Sequence, residues 1–99
     1  MKWLHTWGGT SFGYKDEDGN LWTHDGKHVG KFREEIVFSP SGDYLGELRN
    51  GKLIKKSNHN ARSNTFAPRM TRVGYVNHID HVGYVMIAGF EDFPSPERL

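Results

Sequence analysis

The stretch that decides the fold is residues 21–32, which read Leu21-Trp22-Thr23-His24-Asp25-Gly26-Lys27-His28-Val29-Gly30-Lys31-Phe32. Apolar residues stand on both sides of Asp25-Gly26, and this dipeptide is typical of a type I′ turn, whose two central residues both have positive φ. Residues 36–48 repeat the arrangement around a longer turn, in which Gly42 follows Pro40-Ser41 and favours a type I turn ending in a left-handed glycine. The two stretches therefore predict two successive β-hairpins.

A glycine recurs inside the returning strand in the pattern apolar-Gly-X-apolar. The copies are Val29-Gly30-Lys31-Phe32, Leu45-Gly46-Glu47-Leu48, Val73-Gly74-Tyr75-Val76 and Val82-Gly83-Tyr84-Val85, with a looser one at Phe12-Gly13-Tyr14. Glycine in a strand interior marks a bulge, a bend or a close backbone approach. We therefore expect Gly30, Gly46, Gly74 and Gly83 to be structural glycines that bend each hairpin at the same point. Equal bends predict an all-β fold, a small closed or nearly closed barrel of repeated hairpins with pseudo-four-fold symmetry.

Length and composition predict one domain over residues 1–99, with an irregular polar segment at about 55–71 and an extended tail from about 92. The twelve glycines and the 13% aromatic share favour tight turns around a small aromatic core. The chain has no cysteine, which excludes disulfides and thiolate chemistry. It also lacks an apolar run long enough for a signal peptide or a membrane span, so we expect a soluble cytoplasmic protein.

Three stretches carry a resemblance to a known family. They are Thr6-Trp7-Gly8-Gly9, Gly19-Asn20-Leu21-Trp22 through Gly30-Lys31-Phe32, and Ser41-Gly42-Asp43-Tyr44-Leu45-Gly46-Glu47-Leu48. They cover about half of the chain, and with them the sequence resembles the bacterial four-fold β-flower proteins. The resemblance implies a shallow, radially repeated β-barrel whose hairpins are the petals, similar in architecture to tubby-like domains. It implies no enzymatic activity.

The charge is distributed unevenly although the net charge is only +1. Residues 48–79 carry seven basic side chains and no acid, whereas acidic side chains dominate before and after them. The candidate anion-binding residues are Lys52, Lys55, Lys56, Arg62, Arg69 and Arg72. They could contact phosphates of nucleic acid or of a membrane surface, or the segment could be neutralised by folding against its acidic neighbours.

Histidines are the candidates for a metal site or a cryptic enzyme. His24 and His28 flank the Asp25-Gly26 turn, and His78 and His81 stand three residues apart. Histidine is a common metal ligand, yet polar residues on a surface turn are ordinarily solvated. The sequence contains no nucleophile elbow and no phosphate-binding glycine loop, and we expect neither catalytic residues nor a cofactor.

The main functional hypothesis is a non-catalytic binding module. Tyr75 and Tyr84 each follow a repeat glycine, and their position in the repeat predicts that they face outward. Exposed aromatic side chains are typical of interfaces. The partner would be another protein or a second copy of the chain. Anion binding through residues 52–72 and a metal site at the histidines are the alternatives.

Overall fold

The computed structural model describes residues 1–58, 62–72, 74 and 79–99. The strands are β1 (Lys2–His5), β2 (Ser11–Lys15), β3 (Asn20–Thr23), β4 (His28–Arg33), β5 (Ile36–Phe38), β6 (Tyr44–Arg49), β7 (Lys52–Lys56) and β8 (Phe90–Asp92), followed by a 3-10 helix (Pro96–Arg98). All eight strands form one antiparallel sheet in chain order, which curls into an open half-barrel. The prediction of an all-β chain is confirmed. No helix in the described ranges is long and apolar enough to cross a membrane.

Within the described ranges, one five-residue turn occurs four times, beginning at Thr6, Asp16, Thr23 and Ser39. In each copy the side-chain oxygen of the first residue accepts the backbone N–H of the fifth at 2.9–3.2 Å. The fourth residue is always a glycine with φ between 81° and 95°. Left-handed backbone is open to glycine at little cost, so the sequence itself sets the turn geometry.

The type I′ prediction for Asp25-Gly26 is wrong. Only Gly26 has positive φ there, and its N–H donates to the Thr23 carbonyl as in a type I turn. The Thr23 hydroxyl favours this longer loop because it accepts the Lys27 amide. A dipeptide with positive φ at both residues does occur between β6 and β7, at Asn50 (53°) and Gly51 (73°).

Three hairpins, β1–β2, β3–β4 and β5–β6, each contain a β-bulge in their second strand. The extra residues are Phe12, Val29 and Leu45, which immediately precede Gly13, Gly30 and Gly46. These glycines also permit close packing, since a Cβ at Gly30 would lie 2.8 Å from Cγ2 of Val37. A bulge bends a strand and increases its twist, so three equal bulges curl the sheet.

Gly74 and Gly83 do not lie in strands, which corrects the prediction that all four repeat glycines bend hairpins. They cross the tips of the turns instead. A Cβ at Gly83 would lie 2.5 Å from the Gly8 carbonyl oxygen, and one at Gly74 would lie 2.9 Å from Cα of Asp25. The absence of a side chain at these two glycines thus allows the backbone around them to pack closely against the turns that contain Gly8 and Asp25.

A long connection between β7 and β8 produces these crossings. We call its described residues, 62–72, 74 and 79–89, the strap; none of them lies in a strand. Its backbone N–H groups donate to turn carbonyls in three crossings, Ser63 to Gly42, Arg72 to Gly26 and His81 to Gly9, at 2.8–2.9 Å. Successive donors are nine residues apart. The strap therefore visits the turn tips of the first three hairpins in reverse order.

The core lies inside the curled sheet and contains Leu4, Phe12, Leu21, Val29, Phe32, Val37, Leu53 and Phe93. Phe93 comes from the C-terminal tail, and its ring meets the edge of Phe12 at a centroid distance of 5.3 Å. The tail is thus more than an extended segment, because it supplies a core side chain and the 3-10 helix. Lys55 and Lys56, assigned from the sequence to the irregular segment, are the last residues of β7.

The two ends of the sheet approach each other on one side. Thr6, just after β1, forms an isolated parallel bridge with Leu53 of β7, and the Trp7 N–H donates to the Leu53 carbonyl at 2.8 Å. The Gly8 N–H donates to Asp92 Oδ1 at 3.2 Å, and the Thr6 hydroxyl lies 3.4 Å from Asp92 Oδ2. These contacts link the first hairpin to β7 and β8 without a continuous ladder.

Candidate functional site

Most of the predicted anion-binding residues are held by carboxylates. The pairs are Arg62 with Asp43 at 2.6 Å, Arg69 with Asp18 at 3.6 Å, Arg72 with Asp16 at 3.8 Å, and Lys55 with Glu91 at 3.8 Å. Asp43 comes from a turn that the strap crosses, Asp16 and Asp18 from the turn between β2 and β3, and Glu91 from β8. Folding against acidic neighbours therefore accounts for four of the six basic side chains.

The remaining two predicted basic residues do not form a common site. Lys52 Nζ lies over the ring of Tyr84, 4.9 Å from its centroid, in a cation–π contact. Lys56 is exposed at the end of β7, where its backbone N–H donates to the Tyr44 hydroxyl at 3.0 Å. The structure thus does not bring the six candidates together on one free surface.

Asp16 is the most constrained carboxylate beneath the strap, with its side chain 8% exposed. It accepts the backbone N–H groups of Asp18 and Asn20, the Asn20 side-chain amide and the Trp22 indole N–H, at 2.9–3.1 Å. Desolvation by burial raises the pKa of Asp16, but these hydrogen bonds to the ionised form outweigh it and lower the pKa to about 2. Arg72 places a cation beside this carboxylate, with Nη2 3.8 Å from Asp16 Oδ2. The same guanidinium lies over the Trp22 ring, with Cζ 3.8 Å from the ring centroid. Asp16 is a structural anchor for the turn and the strap.

His28 is buried rather than solvated at its turn. One ring nitrogen, Nε2, lies 2.9 Å from the Gly30 carbonyl oxygen, and the other, Nδ1, accepts the Arg69 N–H at 2.9 Å. These partners fit a neutral ring that carries its proton on Nε2. Burial lowers the pKa of His28 below 6.5. Both nitrogens are therefore engaged, and His28 positions the strap instead of holding a metal.

The other histidines are dispersed. His24 is half-buried in its turn, and the ring of His81 stacks on His5 at a centroid distance of 3.5 Å. His78 lies outside the described residues. Where the structure describes the chain, no group of three or more His, Cys, Asp or Glu side chains could hold a metal ion.

The two predicted interface tyrosines have different outcomes. Tyr84 is 49% exposed on the strap, its ring lies edge-on to Trp7 at 5.0 Å, and its N–H donates to the Trp7 carbonyl at 3.0 Å. Tyr75 lies outside the described residues. Tyr84 is thus anchored by its backbone on the first turn and remains half exposed.

An exposed apolar row on the strap was missed by the sequence analysis. It consists of Met70, Ile79, Val82 and Val85, which are 88%, 88%, 91% and 92% exposed. We call these four residues the apolar row. Their positions in the sequence differ by multiples of three. In the sequence this spacing also includes Val73 and Val76, which lie outside the described residues.

A second feature missed from the sequence is a cavity of about 230 Å³ between β4, β5 and the strap. Its lining is Lys31, Arg33, Phe38, Ser63, Asn64, Thr65 and Phe66. Lys31 and Arg33 stand two residues apart on β4, so they project from the same face of the sheet. That alternation was visible in the sequence, but the strap residues that complete the cavity are thirty positions away.

No protein-family model, curated protein sequence or solved structure matches the chain.

Proposed function

We propose that the chain is a non-catalytic interaction module that associates with a second copy of itself through the apolar row. The observation that carries the proposal is the near-complete exposure of four large apolar side chains on one segment. Single exposed apolar residues are common on protein surfaces, but four on one segment, three of them within residues 79–85, form a concentration typical of interaction sites. Apart from Met1 and Met86, the exposed large apolar side chains of the described residues are Tyr84 and the apolar row.

The character of the row selects the partner. Nucleic acid and anionic membranes attract cations, whereas Met70, Ile79, Val82 and Val85 carry no charge. A second copy supplies a matching apolar surface, as in the self-complementary interface of a two-fold dimer. The formal net charge of +1 also leaves little repulsion between copies. Tyr84, half exposed beside Val82 and Val85, adds an aromatic side chain of the kind enriched at interfaces.

Sedimentation velocity over a range of protein concentrations tests the proposal. We expect a concentration-dependent dimer for the unaltered chain. The double variant Val82→Thr, Val85→Thr keeps the branched shape of both side chains but adds hydroxyls. It should weaken association by about 10⁴-fold, because about 1.5 kcal/mol is lost for each of the four valines that two copies bury together. Thr71→Ser, a polar change on the same strap, is the matched control. A monomer at every concentration, or equal association of the double variant and the control, would contradict the proposal.

We further propose that the half-barrel is completed into a ring of four hairpin units, as in the β-flower family. The support is threefold: the three equal bulges, the Thr6–Leu53 bridge and the contacts of Asp92 with the first turn. In a closed ring, the hydrogen bond from the Trp7 N–H to the Leu53 carbonyl connects the first hairpin to the last one. Its hydrogen exchange should be as slow as that of the Leu21–Gly30 pair in the middle of the sheet. Exchange at the rate of a fraying edge would show that the ring is open.

A further inference from the structure

We propose that the cavity between β4, β5 and the strap binds a small anion that carries one flat ring, with Lys31 and Arg33 holding the anionic group. This site uses none of the apolar row, so it stands independently of the self-association proposed above. Residues 63–66 of the strap form one wall, but the site uses none of the six basic side chains predicted from the sequence to bind anions.

The charge around the cavity points to an anion. Lys31 and Arg33 are exposed on one face of β4, and in the described part of the chain neither forms an ion pair. Among the residues that the structure describes, no carboxylate lines the cavity; Glu34 borders an adjoining depression instead. Arginine presents a planar set of donors that matches a carboxylate or a phosphate in two parallel hydrogen bonds, and lysine adds a point charge.

Hydrogen-bonding groups complete the polar side. Arg33 Nη1 already donates to the Ser63 hydroxyl at 3.2 Å, a contact that directs the guanidinium toward the strap. Asn64 and Thr65 line the same wall with an amide and a hydroxyl. Two backbone hydrogen bonds fix this wall, from Ser63 N–H to the Gly42 carbonyl at 2.9 Å and from Phe66 N–H to the Pro40 carbonyl at 3.0 Å. The wall is therefore preformed, which reduces the ordering cost of binding.

The aromatic lining and the volume of the cavity favour a ligand with a single ring. Phe38 and Phe66 line the cavity, and Lys31 Nζ lies 6.0 Å from the centroid of Phe66, so cation and ring face the same space. The volume of about 230 Å³ lies below the range of roughly 300–1,000 Å³ for drug-sized ligands. A single ring with one anionic group suits this space.

Isothermal titration calorimetry with phenyl phosphate and benzoate tests the site. Inorganic phosphate, which has no ring, and phenol, which has no charge, are the comparison ligands. We expect at least one of the two ring-bearing anions to bind about tenfold more tightly than either comparison ligand, and the tighter anion identifies the bound group as phosphate or carboxylate. Binding of inorganic phosphate as tightly as the better of the two ring-bearing anions would refute the ring. Absence of binding by both ring-bearing anions would refute the site.

Variants locate the site. Arg33→Gln and Lys31→Gln should each weaken binding of the tighter probe by about tenfold, and Phe66→Leu should weaken it while leaving binding of inorganic phosphate unchanged. Lys2→Gln removes the same charge from an exposed position on β1 and should leave the affinity within about twofold. Equal losses in Lys2→Gln and Arg33→Gln would show a general charge effect and overturn the assignment. Amide NMR shifts at residues 63–66 on titration should accompany binding.

Discussion

Replacing Asp16 by asparagine removes a charge from the turn beneath the strap while keeping the size of the side chain. The folded protein lowers the pKa of Asp16 from 3.8 to about 2, because its hydrogen bonds to the ionised form outweigh desolvation. A difference of about 1.8 units corresponds to about 2.4 kcal/mol of folding free energy at 1.36 kcal/mol per unit, which is the upper value for this group. We expect Asp16→Asn to lower the free energy of unfolding by about 2 kcal/mol at pH 7.

The pH dependence separates this cause from simple loss of shape. Because the folded pKa is lowered, the unfolded chain binds the proton first as the pH falls. The contribution of Asp16 is therefore complete above 3.8 and is lost as the pH falls through about 2. Urea unfolding of the native protein and of Asp16→Asn at a series of pH values measures it, and the difference between them should shrink across that window.

A control within the same turn tests the assignment. Asp18 is exposed and pairs with Arg69 at 3.6 Å, so Asp18→Asn should change the free energy of unfolding by less than about 0.5 kcal/mol at pH 7. The reasoning fails if Asp18→Asn costs as much as Asp16→Asn. It also fails if the Asp16→Asn difference stays constant from neutral pH to pH 2.

Three further predictions follow from single contacts. Burial lowers the pKa of His28, so its ring should titrate by NMR with a midpoint below 6.5, and the free energy of unfolding should fall as the pH drops from 6.5 toward that midpoint. Gly26→Ala should lower the free energy of unfolding, measured in urea, by more than 2 kcal/mol, because φ of Gly26 is 91° and the new Cβ would lie 2.1 Å from the Arg72 carbonyl oxygen. Gly51→Ala is the control: φ is 73° but no atom lies near the new Cβ, so the free energy of unfolding should fall by only about 1 kcal/mol. Phe93→Ala should cost about 3–5 kcal/mol by opening a cavity in the core, and an unchanged thermal midpoint would place Phe93 outside it.

Local signals in the sequence predicted the hairpins because each hairpin is specified by residues close in the chain. Asn50-Gly51 and the Gly42 turn have the positive φ that their residue types favour. Asp25-Gly26 was assigned the wrong turn type because a side chain two residues earlier, Thr23, competes for the backbone N–H of Lys27. The recurring glycine was informative for Gly30 and Gly46, which follow β-bulges.

The strap could not be predicted in this way. Val82-Gly83-Tyr84-Val85 has the composition of a strand, and nothing in those four residues distinguishes a strand from an extended segment bound to distant turns. The distinguishing signal is long-range: Ser63, Arg72 and His81 donate to three different turns at intervals of nine residues. The cavity was missed for the same reason, because Lys31 and Arg33 meet their wall only after the strap has crossed the sheet.

The strap is bound to the turns through its backbone, and this leaves its outward-facing side chains without a role in the fold. Its crossings use backbone N–H groups and turn carbonyls, which place little demand on side-chain type except where glycine permits close approach. Solvent would then favour polar residues at outward positions. The sequence instead has Met70, Ile79, Val82 and Val85 there, each at least 88% exposed. Neither the crossings nor the core requires these four apolar side chains, and the contact between copies that we propose would give them a role.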